Sequence, residues 1–167
     1  MGEAAAPTRN YAGLLEACER FGGDRDARMQ LFVDAAWDAL RNADVSWLGF
    51  YMPDPKDCTQ MVLGPRRDKP ACSPIGLHGA CGQSYAERMT LVVTDVANLG
   101  EGYVACDPRD LAELVIPVLD DAGEAWGVLD LDSFSRGVFG ERDAAELHRA
   151  LRSAGLTHGG APAVRII

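Results

Sequence analysis

WGVLDLDS (Trp126–Ser133) sets two aspartates two residues apart inside a segment otherwise built like a buried strand. Strand side chains alternate between faces, which predicts Trp126, Val128, Asp130 and Asp132 on one side and Gly127, Leu129 and Leu131 on the other. Each face begins apolar, so neither is simply the wet one. If the aspartate face is covered, two carboxylates roughly 7 Å apart point into a partly dry space.

The neighbouring segments place this strand in a sheet. AELVIPVL (112–119) precedes it across DDAG, a strong hairpin signal, and sets Glu113 on one face with Val115 and Pro117. VSWLGFYM (45–52) and TQMVLG (59–64) flank the turn-rich PDPKDC, and TLVV (90–93) adds another strand. Trp47, Gly49 and Tyr51 share a strand face, where Gly49 is expected to leave room for a ligand. Helices bracket the strands. Leu14, Leu15, Cys18 and Phe21 form a short amphipathic stripe, and Met29, Phe32, Val33, Ala36, Trp37 and Leu40 a longer one capped by Asp24 or Asp26. CGQSYAERM (81–89) predicts a short helix, and Ala144, Leu147, Leu151 and Ala154 mark a last one. This order predicts an α+β fold: a central antiparallel β-sheet with helices packed on one face and a loop-covered pocket on the other. The cover is the long aperiodic connection 95–111. Residues 1–9 are expected to be frayed, 10–156 to form a single domain, and 157–167 to be an irregular tail.

The 167 residues suffice for one domain, and a net charge of -9 argues against nucleic acid or an anionic membrane as partner. No apolar run approaches the roughly 20 residues that span a bilayer, and no secretory leader is visible, so a cytoplasmic location is expected. Five cysteines, an odd number without such a leader, disfavour a structural disulfide framework. A zinc set of Cys72, Cys81, Cys106 and His78 fits no standard ligand spacing, so no metal is expected. Cys18 is expected to be core and Cys58 an incidental exposed thiol; His78 is given no role, and Trp37 and Trp126 pack.

Several stretches taken together resemble the free methionine-(R)-sulfoxide reductases, enzymes of GAF-type fold. These are LGPRRDKPAC (63–72), GACGQS (79–84), VACD (104–107), ELVIPV (113–118) and GVLDLDS (127–133), in the family's order and approximate spacing, with SWLGFY (46–51) similar to its aromatic strand. The resemblance implies reduction of free L-methionine (R)-sulfoxide to methionine, an antioxidant activity with no bound cofactor and with thioredoxin or another dithiol as external reductant. It puts the catalytic thiol on Cys106, further redox cysteines on Cys72 and Cys81, substrate carboxylates on Glu113, Asp130 and Asp132, and aromatic pocket residues on Trp47 and Tyr51. A homodimer is compatible with it. Two departures stand out. One residue fewer separates Cys72 from Cys81 than is usual, and DPRDLA stands before Glu113 where the family carries serines.

The chemistry agrees with these residue types. Sulfoxide reduction needs a thiolate to attack sulfur, leaving a sulfenic acid that a second thiol captures as a disulfide, with Cα atoms about 5.5–6 Å apart. Either Cys72 or Cys81 could be that second thiol. The substrate's α-ammonium needs carboxylates, and one carboxylate kept protonated by like-charge crowding could supply the sulfoxide oxygen with its proton. The alternative is a non-catalytic GAF module that senses a small molecule. A metal-dependent hydrolase lacks any HExxH-like arrangement.

Overall fold

Strict alternation along three adjacent strands gives one sheet two dry faces. The computed structural model describes residues 8–103 and 105–167. Among them run α1 (Ala12–Cys18), α2 (Arg25–Leu40), β1 (Trp47–Asp54), β2 (Asp57–Arg67), β3 (Ile75–Gly76), α3 (Ala80–Glu87), β4 (Thr90–Val93), β5 (Ala112–Leu119), β6 (Ala125–Ser133), α4 (Glu141–Ser153) and β7 (Val164–Ile166). The strands form one sheet in the order β3-β2-β1-β6-β5-β4-β7. Every neighbouring pair is antiparallel except β4 and β7, which run parallel. Acid-bearing β5 and β6 are therefore interior strands, paired along nearly their full length.

One face carries the larger core. Leu48 and Phe50 of β1, Leu114 and Ile116 of β5, and Leu129 and Leu131 of β6 pack with Phe32, Ala36 and Leu40 of α2 and Leu147 and Leu151 of α4. Of the two acids expected to cap α2, Asp24 does so, accepting from the Ala27 N–H at 2.9 Å. The opposite face gathers Trp47, Tyr51, Met61, Leu91, Val93, Val115 and Val128, closed over by Ala80 and Cys81 of α3. So α3 joins the expected cover, the 95–111 connection, on the pocket side. Gly82 permits its close seat: a Cβ there would collide with the Leu77 backbone.

Three local expectations change. The β5–β6 register slips by one residue between Val118 and Leu119, so Trp126 is the extra residue of a bulge. The bulge turns its ring away from Val128 and the aspartates. It stacks instead on Phe50, 6.3 Å between centroids, and donates from Nε1 to the Leu156 carbonyl at 3.1 Å. The expected irregular tail contains β7, and the residue after it, Ile167, donates its N–H to the Val92 carbonyl at 2.8 Å. Of the segment expected to fray, residues 1–7 lie outside the described residues, but Arg9 is buried.

The Arg9 guanidinium donates to the Ala43 carbonyl at 2.9 Å and the Val138 carbonyl at 2.7 Å, and pairs with Asp143 at 3.1 Å. Asp143 also accepts from the Tyr11 hydroxyl at 2.6 Å and from the Gly140 N–H at 3.0 Å, where α4 begins. This network ties the N-terminal segment to the last helix. Breaking a buried ion pair leaves an uncompensated charge, so Asp143→Ala should lower unfolding free energy by roughly 3 kcal/mol, measured as a denaturant midpoint shift.

Candidate functional site

The pocket side of the interior strands collects every acid the sequence singled out. Glu113 on β5 is cross-strand partner to Asp132 on β6, and Asp130 lies two residues further along, opposite Val115. On the other flank of β6, Asp132 faces Trp47 and Asp130 faces Gly49. Gly49 does not leave space for a ligand. The Trp47 indole folds over it, and a Cβ there would come within 2.6 Å of that ring.

The two aromatic residues also hold the loop that carries Cys72. The Trp47 Nε1–H donates to the Lys69 carbonyl at 2.8 Å, and the Tyr51 hydroxyl to the Cys72 carbonyl at 2.8 Å. Their rings face the pocket while their polar ends fix its wall. Cys72 is disulfide-bonded to Cys106, with Cα atoms 5.5 Å apart. Of the two open candidates for a thiol partner, the structure joins Cys72 to Cys106. Cys81 is elsewhere: its sulfur and one oxygen each of Glu113 and Asp130 all lie within 4.8 Å of one another.

A cavity of about 220 Å³ is lined by all eight expected residues: Trp47, Tyr51, Cys72, Cys81, Cys106, Glu113, Asp130 and Asp132. It is smaller than the roughly 300–1,000 Å³ of sites for drug-sized ligands, and so suits a molecule of amino-acid size. A second cavity of about 350 Å³ shares Trp47, Ala71, Cys106, Asp110 and Asp132 with it and extends towards Lys69 and Asp107.

Burial dominates the electrostatics. Glu113 is pushed up to about 7, first by desolvation, against the opposing hydrogen bonds from Asp130 and Tyr103. Asp130 and Asp132 are raised well above the usual carboxylate range by desolvation and then by their acidic neighbours. Asp130 Oδ1 is buried without a hydrogen-bond partner, an atom that awaits a donor. Cys81 stands in the first turn of α3, where the helix dipole would favour a thiolate. Burial and three carboxylates win, and the thiol is held protonated. The pocket is thus acidic, desolvated and partly protonated. Cys81, Glu113 and Asp130 are close enough to share a metal ion, whereas the sulfurs of Cys72 and Cys106 are bonded to each other.

Sequence reasoning missed three contributors. Tyr103 sends its hydroxyl towards Glu113 Oε2 at 3.5 Å, and its position three residues before Cys106 was the only hint. Asp110 is buried, lines both cavities, and is raised to about 6 by desolvation and Asp107. It is an acid in the DPRDLA run that departs from the resembled family. Lys69 forms an ion pair with Asp107 at 2.6 Å, joining segments 38 residues apart, and no local pattern announces it. Val104 of the VACD motif lies outside the described residues.

Residues 23–157 match the GAF domain family model. A free methionine-R-sulfoxide reductase of Saccharomyces cerevisiae is 32% identical over 116 residues, 68% of this chain and 64% of the yeast enzyme, so the match spans slightly less than two thirds of that relative. Protein YtsP of Bacillus subtilis is 35% identical over 81% of this chain and 82% of its own length. The X-ray structure of free methionine-R-sulfoxide reductase from Neisseria meningitidis in complex with its substrate superposes with a TM-score of 0.75 at 31% identity, covering 87% of this chain and 86% of that one.

The raised carboxylates make a sign-definite prediction. A carboxyl whose pKa is raised by folding contributes stability fully present below its ordinary value, 4.5 for Glu113, and lost as pH rises through about 7. Ligand-free protein should therefore melt lower at pH 8 than at pH 5. Glu113→Gln should flatten that slope and raise the pH 8 melting temperature by roughly 5 °C. A melting temperature independent of pH over this interval would contradict the burial described above. Sequence, fold and pocket converge on one conclusion: the chain belongs to the free methionine-R-sulfoxide reductase family of GAF-domain proteins.

Proposed function

We propose that this protein reduces free L-methionine (R)-sulfoxide, with Cys106 as nucleophile, Cys72 as the thiol that captures its oxidised form, and the buried acids as the substrate clamp. One observation carries the reading: the Cys106 sulfur and the three carboxylates Glu113, Asp130 and Asp132 border the same amino-acid-sized cavity. In the reduced protein the Cys106 thiol attacks the substrate sulfur. Oxygen passes to Cys106, methionine leaves, and the cysteine becomes a sulfenic acid. The Cys72 thiol then displaces hydroxide, which departs as water, and the Cys72–Cys106 disulfide forms. A thioredoxin-type dithiol returns both thiols, so each cycle consumes two electrons and two protons and releases one water.

The acids have two tasks under this reading. An ionised carboxylate pairs with the substrate α-ammonium, and the unpartnered Asp130 Oδ1 is placed to accept from it. A carboxyl still protonated near neutrality donates to the sulfoxide oxygen as the S–O bond breaks, a task that the suppressed ionisation of Asp132 supports. Trp47 and Tyr51 wall the apolar end. Cys81, protonated and buried beside Asp130, acts as a pocket-floor donor rather than as a second nucleophile. A reducing cytoplasm fits the cycle, since the disulfide must be reopened; among the described residues no helix is long and apolar enough to cross a membrane. A homodimer is compatible with the reading. A sensor that merely bound an amino acid would have no use for a disulfide at the wall of its ligand cavity.

Turnover of free methionine sulfoxide with dithiothreitol or a thioredoxin system tests the reading. Cys106→Ser should abolish it with folding intact, and equal activity in the variant would remove Cys106 as nucleophile. Asp130→Asn and Glu113→Gln should each lower kcat/KM by about 30-fold or more, the loss of on the order of 2 kcal/mol from a charged contact. Wild-type kinetics in either would place the clamp elsewhere.

A further inference from the structure

The residue after Cys106 and a residue three before Cys72 form an ion pair, so the two sulfur-bearing loops are joined twice. Lys69 Nζ donates to Asp107 Oδ2 at 2.6 Å. Asp107 is itself held rigidly: it accepts from the Arg109 N–H at 3.0 Å and from its guanidinium at 3.0 Å and 2.8 Å. The Arg109 and Lys69 cations both lie over the Phe134 ring, at 4.5 Å and 5.7 Å, just past the end of β6. The Asp107 side chain is only 15% exposed although both cations reach solvent. Those two cations hold its carboxyl well below the usual carboxylate range. Pocket chemistry does not need this cluster. Its acid lines the outer of the two cavities and is held by cations, and its residues come from both thiol loops and from Phe134, just past the strand that carries the aspartates.

We infer that Lys69 and Asp107, braced by Arg109 and Phe134, form a non-covalent clasp that keeps the Cys72 and Cys106 loops together when the disulfide is open. The inference rests on the proposed redox cycle for its purpose, not for its geometry. In the cycle the Cys106 sulfenic acid must meet the Cys72 thiol quickly, with one water released as the S–S bond forms. A tie one residue from one sulfur and three from the other raises the effective concentration of thiol at the sulfenic acid. Lys69 and Asp107 are therefore positioning residues: neither touches the reacting atoms in this role.

A redox titration tests the clasp without any sulfoxide. The protein is equilibrated in buffers of reduced and oxidised dithiothreitol, free thiols are alkylated, and peptide mass analysis gives the Cys72–Cys106 disulfide fraction. Lys69→Met and Asp107→Asn should each lower the equilibrium constant for disulfide formation about three- to tenfold, and the double variant no further, as for one shared interaction. In the unmodified protein the constant should fall as salt is raised from about 0.05 to 1 M, whereas Asp107→Asn should be indifferent to salt. A purely structural contact would stabilise oxidised and reduced protein alike and leave the constant unchanged. Unchanged constants in both single variants, losses that add in the double, or a salt-independent native constant would each overturn the clasp. If the protein fails to turn over methionine sulfoxide yet titrates as stated, the catalytic reading fails and the clasp stands.

Discussion

Three carboxylic acids share the dry side of two interior strands, and most of the molecule's pocket side can be understood as the consequence. Glu113 and Asp132 are register partners, with Asp130 one alternation away, so backbone pairing alone fixes them as neighbours. Nothing in the strand geometry lets them separate. Their mutual repulsion is relieved by protons, which desolvation favours as well. The cover on this side then follows: α3 and the loop that includes Tyr103 and Cys106 exclude water, and exclusion of water is what raises the acids' affinity for protons. The desolvation that keeps protons on these acids also strengthens any electrostatic contact made within the pocket.

The helix-side core supplies the rigidity that such crowding requires. Apolar residues alternate out of phase with the acids on β5 and β6, so each acid is flanked along the chain by residues such as Leu114, Leu129 and Leu131 that are fully packed on the far side. A one-residue slip would exchange the two faces and drive carboxylates into the core. Register is thereby protected by the cost of its own failure. The bulge at Trp126 shows the limit of that protection. Beyond the last acid the slip costs nothing, and the indole gains a stacked partner on the other face.

Much of this was legible in the sequence because it depends on period-2 alternation, which each strand carries by itself. The faces of β1, β5 and most of β6, the hairpins, and the eight pocket residues come from that pattern and from the family resemblance it supports. What escaped depends on pairing between segments. Trp126 changes face through a register slip that only its β5 partner reveals. Strand β7 exists because β4 offers a free edge, and three residues of Val-Arg-Ile after a Gly-Gly and a Pro give no period to detect. Arg9 is buried by partners more than thirty residues away. Gly49 fits the general rule that glycine makes room, but the neighbouring Trp47 ring takes the space.

The same distinction explains why the charges outside the pocket are arranged as they are. Lys69 carries its ammonium three residues before Cys72 and lines a cavity with Asp110 and Asp132. A cation tethered beside an acidic pocket has a concentration advantage over a diffusing one. Its influence on Asp132 and Asp110 is already in the direction of ionising them. Asp107 binds Lys69 at 2.6 Å, and Arg109 and Lys69 together hold that acid well below the usual carboxylate range. Two acidic sets shifted in opposite directions therefore stand side by side: one desolvated, its carboxyls raised, the other held low by local cations. The contrast is produced by solvent access and by partner choice alone, since aspartates serve in both.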